Sequence, residues 1–213
     1  MNGLARGLKV LASFSPDRIR MSLGELAKAT GLPKSTIARL VHTLVETGYI
    51  YVCPDSGRYS LHPKVLTLGY PVMASMDKRL VALPMMQELA DYSRGTVSLG
   101  IRDGLSMILI ERSRGRTVRA LPLDIGSRIP METTSMGQAY FAAADTAEQA
   151  AILEQFKTHD PSRFKDVERT LRAAEKEYAE KGYCTAVGIW EDDVNAVGVA
   201  VTLSNDVLAA FNC

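Results

Sequence analysis

The sequence predicts two domains of different class: a small, mostly α-helical N-terminal module closed by a β-hairpin, and a larger C-terminal α+β domain. Three observations carry that prediction. Apolar residues recur at helical spacing from Leu4 to Val45. A two-strand pattern follows around the turn Pro54-Asp55-Ser56-Gly57. Beyond residue 79, strand patterns flank a long helical middle. The boundaries expected are 1–62 for the first domain, 63–78 for a linker helix and 79–213 for the second domain.

In the first block, Leu4, Leu8, Leu11 and Phe14 form one apolar stripe, so a helix is expected over 3–14, ended by Pro16. Ser22 with Glu25 three residues later is a capping box, in which each side chain satisfies a free backbone N–H at a helix start. Leu23, Leu26 and Ala27 supply the buried face of that second helix, and Gly31 stops it. Pro33 is expected at the first position of a third helix, where its missing N–H costs nothing. Ile37, Leu40, Val41, Leu44 and Val45 give that helix its apolar face, and Gly48 suits a left-handed cap. Strands are expected at 49–53 and 58–61. Pro71 and Pro84 are expected to break helices or start new ones.

In the second block, Val97, Leu99 and Ile101 alternate as on a half-buried strand. Asp103-Gly104 turns the chain into a more continuous apolar strand over 107–110. Helices are expected at 133–144, at 146–157 with a capping box of Thr146 and Gln149, and at 163–181. Strands return near 183–187, 195–203 and 207–212.

Charge divides along the same line. Residues 1–78 hold ten Lys/Arg against five Asp/Glu, a net of +5, whereas the remainder holds fifteen against nineteen, a net of −4. A basic first block beside an acidic remainder points to a polyanionic partner for the first block alone. A short second helix, a turn at Gly31-Leu32 and a third helix with one polar face make a helix-turn-helix, whose third helix enters the major groove. Lys34, Ser35, Thr36, Arg39, His42 and Thr43 occupy that polar face. The hairpin around Arg58 would reach the flanking backbone as a wing.

The remaining features exclude more than they suggest. No apolar run approaches the roughly 18 residues that span a bilayer, and Met1 to Arg20 lacks the pattern of a secretory signal. Cys53, Cys184 and Cys213 are odd in number and widely spaced, which suits a reducing cytoplasm and no zinc or disulfide framework. No phosphate-cradling glycine loop, Gly-x-Ser-x-Gly elbow or metal-spaced His/Cys cluster is present, so no cofactor or metal is expected. His159-Asp160 is the one pair that a small hydrolase could use, but it reads as a loop between helices. Glu191-Asp192-Asp193 reads as a solvated turn. A further alternative is a winged-helix protein-interaction module without operator binding, which would not need Lys34 or Arg39.

The runs LARGLKVLASFS and MSLGELAKATGLPKSTIARLVHTLVETGYIYVCPDSGRYSLHPKVLTLG resemble the DNA-binding half of the IclR family of bacterial regulators. RGTVSLGIRDG, IGSRIPMETTSMGQAYFAA and EKGYCTAVGIW extend the resemblance over nearly the whole chain. The resemblance implies a non-enzymatic, cytoplasmic transcription regulator with a winged helix-turn-helix, a linker helix and a GAF-like effector-binding domain. It also implies a homodimer or tetramer on double-stranded, palindromic operator DNA, paired mainly through the N-terminal domains, and a small carboxylate effector of a catabolic pathway. On this basis Thr134, Ser135 and Met136 at a helix start, with Ala186, Ala196 and Asn212 opposite, are the expected effector contacts. The family's glyoxylate- and pyruvate-binding pattern places an acidic residue, a cysteine and a serine at the last three positions. Alanine, alanine and asparagine there imply a larger or more apolar acid. Relatives continue past Cys213 through a Gly/Pro turn and a terminal helix, so the resemblance implies an incomplete C-terminal end.

Overall fold

Capping and burial decide the elements of the N-terminal part in a computed structural model that describes residues 3–116, 121–203 and 206–213. Helix α1 spans Gly3–Leu11, α2 Leu23–Thr30 and α3 Lys34–Glu46. The Ser22–Glu25 capping box forms in full, and Gly31 ends α2 at φ 69°. Pro33 stands one position earlier than expected, as the N-cap of α3. Gly48 (φ 75°) donates to the Val45 carbonyl and Tyr49 to that of Leu44, a Schellman motif that ends α3. Strands β1 (Ile50–Val52) and β2 (Tyr59–Leu61) pair antiparallel, Ile50 opposite Leu61. Met21 adds a bridge to Tyr59. Val10, Met21, Leu26, Ile37, Val41 and Ile50 form the core.

The stripe expected on α1 is only half right. Leu11 and Phe14 pack on the core, but Leu4 and Leu8 are exposed and Val10 is fully buried. The C-terminal end of α1 thus carries the packing, and the helix stops at Leu11 rather than 14. A short 3-10 turn at Pro63–Val65 leads into α4, Leu66–Ala74. Pro71 lies inside α4 and Pro84 inside the next helix, α5 (Asp77–Ser93), so neither breaks its helix. The carbonyls these prolines leave unbonded, on Thr67 and Leu80, belong to exposed residues, which lowers the penalty.

The chain divides into two compact units, 1–75 and 76–213. In the second, one antiparallel sheet runs in the order β5-β4-β3-β8-β7-β6. Its strands are β3 (Thr96–Asp103), β4 (Ser106–Arg114), β5 (Arg128–Pro130), β6 (Cys184–Val187), β7 (Asn195–Thr202) and β8 (Leu208–Asn212). Between β5 and β6 come α6 (Ser135–Ala143), α7 (Thr146–His159) and α8 (Phe164–Lys181). Strand β5 was not foreseen, because three residues give no periodicity to read. The middle of β3 is buried on both faces, not one: Val97 and Leu99 on one side, Ser98 and Gly100 on the other. The N-cap of α7 is Asp145, which accepts from the Glu148 N–H, in place of the expected Thr146–Gln149 box. Gln149 is instead buried, donating to the Phe141 carbonyl and Glu175. Among the described residues no helix is long and apolar enough to cross a membrane.

Helix α6 enters the core at its N-terminus, where Ser135, Met136 and Gly137 are all buried. A Cβ on Gly137 would stand 2.3 Å from the Met131 carbonyl oxygen and 2.4 Å from its Cα. In an exposed helix Gly→Ala stabilises by about 1 kcal/mol. Here the sign reverses: Gly137→Ala is expected to destabilise by about 3 kcal/mol, read from urea unfolding of the full chain. A neutral or stabilising result would refute the close approach.

Candidate functional site

Each unit carries one candidate site. In the first unit the buried side of α3, with Ile37 and Val41, fixes which side faces outward. Lys34, Ser35, Arg39, His42 and Thr43 are exposed and Thr36 half-buried, so the six expected residues lie on the outward side of one helix. Their spacing puts Ser35, Arg39, His42 and Glu46 along one line. Among the described residues neither Lys34 nor Arg39 makes an ion pair. Lys64 Nζ donates to the Thr47 carbonyl at 2.8 Å, a cation at the C-terminal end of α3.

Arg58 differs from expectation. It directly follows the turn Asp55-Ser56-Gly57, its carbonyl accepting from the Cys53 N–H, and its guanidinium donates to Glu25 at 2.5 Å and to the Arg20 carbonyl. Arg20 pairs in turn with Asp55 at 2.7 Å. Arg58 and Arg20 therefore spend their charge inside the unit, and the turn itself has no cation. Glu25 ties the cap of α2 to the hairpin: it accepts from the Ser22 N–H and hydroxyl and from Arg58. Those bonds, the Ser22 backbone first, hold its pKa at about 2 rather than 4.5.

In the second unit a cavity of about 370 Å³ opens above the sheet beside the start of α6. Thr134, Ser135, Ala186, Ala196 and Asn212, five of the six residues the resemblance pointed to, line it. Met136 does not: its side chain is wholly buried, with its sulfur against Gly100. The Thr134 hydroxyl caps α6, accepting from Gly137 and donating to the Pro130 carbonyl. Residues not foreseen complete the wall. Leu109, Leu121, Leu123, Ile129 and Trp190 are apolar, and Arg112 and Ser98 rise from β4 and β3. Arg112 Nη1 donates to the Leu121 and Leu123 carbonyls. Burial first, then the charge of Arg114, lowers the Arg112 pKa, against the pull of Asp124. Arg112 was missed because it lies in the polar run Glu111-Arg112-Ser113-Arg114 at the end of β4, which gives no pattern; only the strand register sets it across Ser98 from Asn212.

The comparisons decide the family. The model described as IclR helix-turn-helix domain matches residues 3–52, and the one described as bacterial transcriptional regulator IclR C-terminal matches 71–212. The chain belongs to the IclR family of bacterial transcription regulators. It is 30% identical to the Pca regulon regulatory protein of Pseudomonas putida, over all of this chain and 73% of that one. An IclR-family transcriptional regulator from Brucella abortus has the same fold at TM-score 0.90 and 37% identity, covering 100% of this chain and 81% of that one. A Microbacterium hydrocarbonoxydans homologue, crystallised with 4-hydroxybenzoate, matches at TM-score 0.76 and 23% identity, over 100% of this chain and 88% of its own. These relatives are regulators, not enzymes.

The hydrolase alternative finds no support in this IclR-family chain. Ser162 donates to Asp160 at 2.6 Å as part of the turn before α8, not to His159. Glu191 and Asp192 lie in an exposed turn, and no His/Cys/Asp/Glu cluster among the described residues could hold a metal.

The depressed pKa of Glu25 has a definite consequence. Its contribution is complete above 4.5, the unfolded value, and is lost as pH falls through about 2. Hydrogen exchange of the α2 and hairpin amides in the full chain, corrected for intrinsic rates, should show protection falling across that window. Glu25→Gln should flatten the dependence; an unchanged profile in the variant would assign the acid response to other groups.

Proposed function

We propose that this IclR-family regulator binds operator DNA through the outward face of α3 and is controlled by a small organic acid held in the cavity of its second unit. The observation that carries the first half is the exposed line of Ser35, Arg39 and His42, with Lys34, Thr36 and Thr43 beside it, on a helix whose opposite side packs Ile37 and Val41 into the core. Arg39 can reach guanine edges, and Lys34 can reach phosphates. Arg58 contributes by holding the hairpin rather than by touching DNA.

The cavity supports the second half. Thr134, Ser135, Ala186, Ala196 and Asn212 surround a space large enough for a ring-sized acid, and its apolar walls favour such an acid over glyoxylate or pyruvate. That the Microbacterium homologue was crystallised with 4-hydroxybenzoate, and that the Pseudomonas relative is named for the Pca regulon, agree with a catabolic acid. Pairing into a homodimer or tetramer is supported by the apolar side chains that the first unit leaves exposed, Leu4 and Leu8 on α1 and Leu66, Leu68, Tyr70 and Val72 on α4. Two copies would present two α3 helices to a palindromic site.

Incubating the protein with fragmented genomic DNA at moderate salt, and sequencing what stays bound, should enrich a palindromic promoter fragment. On that fragment Arg39→Ala is expected to cost about 1–3 kcal/mol and to relax sequence preference. Lys34→Ala should weaken all sequences evenly and flatten the salt slope by about one unit. Unchanged binding in both variants would remove α3 from the interface.

A further inference from the structure

A chain of contacts joins the start of α3 to the hairpin. A Cβ on Gly24 would stand 3.7 Å from Lys34 Cε, so the first cation of α3 lies over the first turn of α2. Glu25, in that same turn, accepts from Arg58 beside the hairpin turn. The Arg58 guanidinium also donates to the Arg20 carbonyl, and Arg20 Nη1 donates to Asp55 Oδ2 at 2.7 Å. Two carboxylates and two arginines, with side chains between 39% and 64% exposed, thus run from α2 to the tip of the wing.

When the second helix of a helix-turn-helix enters the major groove, the first crosses the sugar-phosphate backbone. The first helix here is α2, so these four side chains lie where the flanking backbone passes. A cation that reaches a phosphate raises affinity for every sequence alike. An arginine held by a carboxylate adds less, because it must leave its partner to reach a phosphate. The same face carries Arg18 and Lys28, which make no ion pair among the described residues and are open to phosphates. Of the two carboxylates, Glu25 also closes the capping box, so the fold needs its charge. Asp55 accepts from Arg20 and, at 3.4 Å, from the neighbouring Ser56 hydroxyl. Asparagine or serine suits such a turn equally well, so the turn does not require a charge at position 55.

We propose that Asp55 sets the selectivity of DNA binding: by holding Arg20 away from phosphates it lowers affinity for non-operator DNA more than for the operator. The inference rests on the reading of α3 as the DNA-binding face. Non-operator binding draws nearly all its strength from phosphates, and the protein settles in whichever register engages most cations. A cation released on the wing therefore counts there in full. On the operator, base-edge contacts from α3 dictate one register. A released Arg20 then gains only where a phosphate already stands within its reach. An exposed pair such as Arg20–Asp55 corresponds to a factor of about five in an equilibrium constant, which sets the size of the effect.

Fluorescence anisotropy of the full chain on a duplex of random sequence, repeated over a range of salt, tests it, with the fragment enriched from genomic DNA as the operator. Asp55→Asn should tighten binding to the random duplex about fivefold and steepen its salt slope by about one unit, while operator affinity rises less than about twofold. Adding Arg20→Gln to Asp55→Asn should return both quantities to the wild-type values. Asp17→Asn removes the same charge from the same face with no arginine to release, and should leave the slope unchanged. Melting temperatures identify any variant that fails to fold, and Asp55→Ser replaces the asparagine variant in that case. A hairpin merely loosened by the substitution would weaken DNA binding rather than tighten it. Random-duplex binding that is not tightened in the folded variant, a gain that survives Arg20→Gln, an equal gain on the operator, or an equal effect of Asp17→Asn overturns the inference alone. A wild type that binds no duplex even at low salt overturns the DNA-binding reading and the inference with it.

Discussion

Where α6 begins, the backbone of Ser135 and Met136 lies against β7 so closely that position 198 admits no side chain. On its other side the helix meets Met131, which excludes a side chain at position 137 as well. The first turn of α6 is thereby clamped between a loop and the sheet, and the pocket depends on that clamp. It buries Ser135, whose hydroxyl has no partner among the described residues, and it seats Met136 in the core beneath Gly100. Two glycines at unremarkable points in the sequence thus shape the cavity more than any residue that lines it.

The first unit uses charge in the opposite manner, by consuming it where it is not needed. Arg58 was expected as an additional DNA contact, yet it is held by Glu25, and Arg20 nearby is held by Asp55. Exposed pairs of this kind contribute about 1 kcal/mol or less individually. Their arrangement matters more than their strength: Glu25 joins the cap of α2 to the hairpin, and Asp55 joins the turn to the segment before α2. The cations left without carboxylate partners include Lys34 and Arg39, on the side of α3 that is free to enter a groove.

Elements governed by neighbours in sequence were legible, and those governed by neighbours in space were not. The Ser22–Glu25 box, the stops at Gly31 and Gly48, the hairpin, and the order of the C-terminal strands and helices all follow from local chemistry. The six residues expected to face DNA from α3 share its outward side because helical spacing alone sorts them there. The pairing of Arg58 with Glu25 was not legible, because the two lie 33 positions apart. In the cavity, family resemblance supplied Ser135, Ala186, Ala196 and Asn212, but not Arg112 or Ser98, which only the β4-β3-β8 register brings beside Asn212. Pro71 and Pro84 misled for a related reason: the cost of an interior proline depends on whether the freed carbonyl meets water, and exposure is a property of the fold.

The wall of the cavity bears on how an effector could act at a distance. A ligand moves an equilibrium only by the difference in its affinity for two states, so tight binding to a rigid pocket would regulate nothing. Arg112 supplies a route to such a difference. Its Nη1 holds the carbonyls of Leu121 and Leu123 at the cavity wall, so an acid bound beside Arg112 would act on the guanidinium that already anchors this segment. On the proposed reading, the state in which Arg112, Ala186, Ala196 and Asn212 line one cavity is the state the ligand favours. Any arrangement that separates them binds it more weakly. By linkage, operator DNA must alter the affinity for the acid by the same factor as the acid alters the affinity for DNA, so the coupling can be measured from either end.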